Sequence, residues 1–85
     1  MKEFDYVITS EVGLHARPAM RLAQEANRYI SSVKVQKEYK TANAKSVISL
    51  FALSVNQGDQ VRVLIEGEDE EVAEFELKKF FNEEL

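Results

Sequence analysis

Apolar residues alternate with polar ones in three separate stretches of this 85-residue chain, and between those stretches the apolar spacing changes to three and four. Phe4, Tyr6 and Ile8 alternate with Asp5, Val7 and Thr9; Val33 and Val35 with Lys34 and Gln36; Val61, Val63 and Ile65 with Arg62, Leu64 and Glu66. A period of two puts every second side chain on one face, so each stretch reads as a strand with one buried and one solvated side. Such strands suit a sheet covered on one side only. A shorter polar stretch, Lys40 to Asn43, follows Glu38-Tyr39 and is placed to pair back on the second strand as an edge. The turn between them lacks the Asn-Gly or Asp-Gly pair that identifies a turn type.

From Ala16 to about Asn27, Ala16, Ala19, Met20, Ala23 and Ala26 recur at helical spacing, with Arg21, Gln24 and Glu25 between them. A stripe of alanine lets the helix backbone lie close to a sheet, and Pro18 is tolerated because it falls in the first turn. Val47, Ile48, Leu50, Phe51 and Leu53, interrupted by Ser49 and followed by Ser54, predict a short helix rather than a buried strand. Asn56-Gln57-Gly58-Asp59 reads as a turn. Past Gly67, the acids Glu68 to Glu71 suit a helix N-terminus, and Ala73, Leu77, Phe80, Phe81 and Leu85 mark the apolar face of a terminal helix. Phe75 lies well off that face, which leaves it exposed or the stripe wider.

The expected order is strand, helix, strand, strand, short helix, strand, helix, an α+β open-faced sandwich in a single domain covering residues 1–85. Cysteine is absent, so the core alone supplies stability, and a reducing cytoplasm is the expected setting. The first residues, Met1-Lys2-Glu3-Phe4-Asp5, carry acids where a secretory signal has an apolar run, and no stretch reaches the roughly 20 apolar residues of a membrane span. A net charge of −4 opposes binding to a phosphate backbone, so nucleic acid is not an expected ligand. One histidine and no cysteine leave too few ligands for zinc or iron; neither a metal nor a cofactor is expected.

That one histidine sits in Gly13-Leu14-His15-Ala16-Arg17-Pro18-Ala19, where a loop becomes a helix. The first turn of a helix leaves N–H groups unpaired and carries partial positive charge, which stabilises a phosphate held beside it. Backbone amides of Ala16 and Arg17 are placed for this, and the Arg17 guanidinium adds charge. A neutral imidazole, whose ordinary pKa is about 6.5, is a capable nucleophile near neutrality. By itself the pattern also fits a surface or helix-capping histidine with no chemistry.

The heptapeptide resembles the active-site signature of the histidine-containing phosphocarrier family usually called HPr, a component of the phosphoenolpyruvate-dependent sugar phosphotransferase system. The resemblance extends over essentially the whole chain: the element order, Ala44-Lys45-Ser46, Gly58 in a turn, and Gly67-Glu68-Asp69-Glu70 before the last helix. It implies a four-stranded antiparallel sheet covered on one side by three helices. It also implies that His15 accepts a phosphoryl group on Nδ1 from phosphorylated Enzyme I, with Arg17 assisting, and passes it to the IIA domains of sugar permeases.

Ser46 has two readings, a cap for the short helix and, by the same resemblance, a regulatory phosphorylation site. In Gram-positive members the matching serine is modified by an ATP-dependent kinase/phosphorylase, which slows phosphorylation of the histidine and recruits a catabolite-control transcription factor. Tyr39, Ser49 and Ser54 stand where many relatives have glycine, and Glu74 where they often have an apolar residue. The family architecture places Met20, Val47, Ile48 and Phe51 beside His15 as an apolar contact patch, or else two of them in the core. Arg21, Gln24 and Arg28 would form a partly basic rim for acidic partners.

Two alternatives to the sugar-transport carrier remain: a regulatory paralogue acting through protein binding, and a nitrogen-branch phosphocarrier. An independent hydrolase is opposed by the lack of a Gly-x-Ser-x-Gly elbow and of a second histidine. A monomer is the default expectation.

Overall fold

The computed structural model describes residues 1–85. Its elements are β1 (Lys2–Val7), α1 (Ala16–Ala26), β2 (Ser32–Lys37), β3 (Lys40–Asn43), α2 (Val47–Leu53), β4 (Gln60–Glu66) and α3 (Glu70–Glu84). The strands form one antiparallel sheet in the order β1-β4-β2-β3. This is the expected open-faced sandwich, with β1 and β3 at the edges.

The strand register explains the sequence alternation. Phe4 pairs with Val63, Val63 with Val35, and Val35 with Ala42, so one inward row crosses all four strands. Val35, Ala42 and Val63 are buried in a core shared with Leu22, Leu50, Leu77 and Phe81 from the helices, and Phe4 packs against it. Phe81 meets Phe4, Tyr6 and Phe80 edge to face at centroid distances of 5.6, 5.4 and 6.2 Å. The adjacent outward row is polar, and there Arg62 donates to Asp5 at 2.8 Å. That hydrogen bond holds the Asp5 carboxyl below the ordinary carboxylate range.

Helix α1 corrects one expectation. Its buried residues are Ala19, Leu22, Ala23 and Ala26, whereas Ala16 and Met20 are exposed. The helix is rotated from the expected stripe so that Leu22, at the i, i+3 position from Ala19, enters the core. Strand β1 also ends at Val7, one residue before Ile8. The Ile8 N–H donates instead to the Asp59 carbonyl at 2.9 Å, and the side chain is buried beyond the strand end.

The hairpin between β2 and β3 turns at Glu38, which adopts φ +56. Phe75 is exposed on the outside of α3. Acids at the start of α3 act through specific contacts: the Asp69 carboxylate accepts the N–H groups of Ile30 and Ser31 at 3.0 Å each, and Glu70 accepts the Gly67 N–H at 3.1 Å. Glu74 pairs with Lys78 one turn on at 3.6 Å.

Candidate functional site

His15 occupies the N-cap position of α1 in extended conformation, but its side chain makes no capping hydrogen bond. The residue before it, Leu14, is fully buried, and so is Ala19 one turn into the helix. These are the two positions that staple a helix start, so the loop enters α1 at a fixed angle with the imidazole left at the surface. Leu14 N–H also donates to the Val55 carbonyl at 3.0 Å, which lays the loop carrying His15 against the loop that follows α2.

Ala16 adopts φ +52, a left-handed conformation that costs an alanine about 1–2 kcal/mol. It is exposed, as is Arg17. Helix α1 has no acidic residue in its first turn and no side-chain cap, so neither its first turn nor its N-cap side chain neutralises that end. Arg17 takes part in none of the six ion pairs. A histidine, an unpaired guanidinium and an uncapped helix start therefore converge in five residues, a surface suited to an anion.

The structure adds a residue that the sequence reading assigns only to a turn. Nε2 of His15 lies 2.9 Å from Oδ1 of Asn56, 41 positions away in sequence. Asp59 accepts the Asn56 backbone N–H at 2.8 Å and pairs with Lys37 at 2.9 Å. These two contacts, the amide first, hold the Asp59 carboxyl below its ordinary range.

Ser46 caps α2, its hydroxyl oxygen accepting the Ser49 N–H at 3.2 Å. The preceding Lys45 is anchored by its ammonium to the Tyr29 carbonyl at 2.7 Å. Ser54, at the other end of α2, stands in the left-handed conformation that suits a helix C-cap, with φ 57 and ψ 53.

Among the expected contact residues, Met20, Ile48 and Phe51 are 52%, 81% and 42% exposed, while Val47 packs against the core. Helices α1 and α2 pack against each other. Along the expected rim, Arg21 pairs with Glu84 at 3.1 Å and Arg28 with Glu25 at 3.3 Å, so each guanidinium has an acidic neighbour. Gln24 lies exposed beside Arg21, Arg28 and Phe80 in one shallow depression. No helix is long and apolar enough to cross a membrane.

A family model described as PTS HPr component phosphorylation site matches residues 2–83. The chain is 43% identical over 75 residues to the HPr-like protein Crh of Bacillus subtilis, which spans 88% of each protein. It is 38% identical over 73 residues to the phosphocarrier protein HPr of Lysinibacillus sphaericus, 86% of this chain and 83% of that one. The crystal structure of HPr from Thermoanaerobacter tengcongensis superposes with a TM-score of 0.95 at 39% identity, over 99% of this chain and 94% of the other. With its sheet order, its histidine at the start of α1 and these relatives in agreement, the chain belongs to the HPr family of phosphocarrier proteins.

Proposed function

We propose that this chain carries phosphoryl groups for the phosphotransferase system in the cytoplasm, accepting one on Nδ1 of His15 from phosphorylated Enzyme I and delivering it to IIA domains of sugar permeases. The observation that carries this reading is that His15 stands at an uncapped helix start two residues from Arg17, which takes part in no ion pair. In the transfer, amides of Ala16 and Arg17 and the Arg17 guanidinium would meet the phosphoryl oxygens, where negative charge is concentrated. The chain is a covalent intermediate with no small-molecule substrate of its own. All of these groups come from a single copy, so a monomer suffices.

Met20, Ile48 and Phe51, with Val47 beneath and Arg21 and Gln24 at the margin, are the proposed contact surface for both partners. Ser46 is the proposed regulatory site, modified by a kinase/phosphorylase and then read by a catabolite-control transcription factor. A phosphate there adds about −1.5 to −2 charge beside that surface.

A second reading has an observation in its favour: two of the similar proteins are named Crh, at 43% and 37% identity, and a solved Crh is described as a catabolite repression HPr. On that reading the chain acts mainly through regulatory binding. A nitrogen-branch carrier would share the chemistry of His15 and differ only in its partners.

Intact mass after incubation with phosphoenolpyruvate, magnesium and Enzyme I separates carrier from binder. The carrier gains one acid-labile phosphoryl group, absent in His15→Ala. An unmodified native chain, beside a control carrier that is labelled, would favour the regulatory reading.

A further inference from the structure

One side chain lies within hydrogen-bond distance of the ring of His15, and it belongs to Asn56. Its backbone is fixed on both sides, the N–H donating to Asp59 Oδ2 at 2.8 Å and the carbonyl accepting the Asp59 N–H at 3.0 Å. The turn is tied to the end of β1, because Gly58 N–H donates to the Ile8 carbonyl at 2.8 Å and Ile8 N–H to that of Asp59 at 2.9 Å. Lys37 clamps the same turn from β2, its ammonium reaching Asp59 at 2.9 Å and the Ser54 carbonyl at 2.7 Å. Asn56 thus faces the imidazole from a support held at several points.

The orientation of its carboxamide follows from donor and acceptor chemistry. Asn56 Nδ2 lies 3.4 Å from the Ser54 carbonyl, which can only accept. The reverse orientation would set two oxygens against each other and leave an NH2 group facing the ring. With Oδ1 toward His15, only a protonated Nε2 completes the bond, and Nδ1 keeps its lone pair.

We propose that Asn56 is a positioning residue for phosphoryl transfer, holding the His15 ring with Nε2 protonated and Nδ1 presented as the nucleophile. The inference rests on the carrier reading. In the step, the Nδ1 lone pair forms the new N–P bond. The bond from phosphorus to the donor's leaving atom breaks, and its electron pair stays with the donor. The Nε2 proton remains where it is. The ring gains positive charge as Nδ1 is phosphorylated, so Nε2–H becomes a stronger donor to Asn56. A contact that strengthens as the reaction proceeds accelerates it, unlike one that binds the resting ring equally well.

The test uses the full chain, Asn56→Ala and Asn56→Asp, read by imidazole nitrogen-15 NMR and by phosphorylation from Enzyme I across pH. Asn56→Ala is expected to mix the two ring tautomers and to slow phosphorylation at saturating donor roughly tenfold, the size of one hydrogen bond to a charged group. The KM for the donor should move little. Asn56→Asp places a carboxylate on the ring and is expected to move the acid limb of the pH–rate profile up by about one pH unit.

Unchanged ring shifts and an unchanged pH profile in both variants would overturn the proposal, even if thermal stability fell, because a residue that only builds the turn would behave that way. Failure of the native chain to take a phosphoryl group would sink the carrier reading instead. The ring shifts would still decide whether Asn56 sets the tautomer.

Discussion

A β-carbon on Gly13 would stand 2.5 Å from the carbonyl oxygen of Val55, closer than real atoms of these types approach. Gly13 also adopts φ +69, the left-handed region that disfavours a side chain. The same Val55 oxygen accepts the Leu14 N–H, so this close approach brings the loop of His15 onto the loop of Asn56. Gly13→Ala is therefore expected to cost roughly 2–4 kcal/mol, combining backbone strain with displacement of one loop. Urea unfolding checks the stability, and the rate of phosphorylation at His15 checks the displacement. A variant as stable as the native chain would show that the two loops separate without penalty.

Ser54 offers the opposite case. It holds a left-handed C-cap with φ 57, where glycine has no β-carbon to strain. Ser54→Gly should stabilise the chain by about 0.5–1 kcal/mol, read as a higher urea midpoint with an unchanged slope. The exchange keeps the backbone carbonyl that accepts from Lys37, so the clamp on the Asn56 turn persists. A lower midpoint would mean that the serine hydroxyl or its unfolded-state restriction outweighs the relief of strain.

The fold was legible because one sheet face is solvated: a two-residue alternation survives only where inward and outward neighbours differ in environment. Helix α1 was harder. Residues 16, 19, 20, 23 and 26 and residues 19, 22, 23 and 26 both satisfy helical spacing, and an alanine-rich helix leaves little to separate them. Packing into the common core beside α2 and α3 selects the second set, which buries Leu22 and frees Met20. Around His15, the local motif was readable because the helix start, the arginine and the histidine lie within a few residues. Asn56 was not, since its distance from His15 is set by how the loops after β1 and α2 meet in space, and an asparagine in a turn sequence carries no trace of that.

Acid sensitivity should concentrate at Asp69. Its carboxylate accepts from the Ser31 hydroxyl and from the N–H groups of Ser31 and Ile30, tying the α1–β2 connection to the start of α3. Those bonds, the Ser31 hydroxyl first, hold its carboxyl below the ordinary range. Glu70 is lowered by the Gly67 N–H and the Met1 ammonium, and Asp5 by Arg62. A group with a depressed folded pKa contributes stability that is complete above its unfolded pKa, near pH 4, and is lost as pH falls through the folded value. Melting temperature should thus hold steady above about pH 5 and drop steeply below pH 4. Asp69→Asn should melt lower at pH 7 and show a flatter decline into acid. Parallel curves for the two proteins would remove Asp69 as the source of the acid limb.

Ser46 has a structural role that any regulatory role must coexist with, since its hydroxyl oxygen caps α2 through the Ser49 N–H. Replacing it with alanine removes the cap and should cost about 1 kcal/mol, whereas Ser46→Asp, itself a good cap with charge suited to a helix start, should stay within about 0.5 kcal/mol of the native chain. The two variants separate stability from partner recognition. A carboxylate at the edge of a surface that includes Ile48 and Phe51 should repel an acidic partner, so Ser46→Asp is expected to take phosphoryl groups from Enzyme I roughly tenfold more slowly while Ser46→Ala remains near the native rate. Initial rates at limiting Enzyme I, set beside melting curves for the same preparations, read both effects. A stable Ser46→Asp that is phosphorylated as fast as the native chain would leave Ser46 with the cap alone.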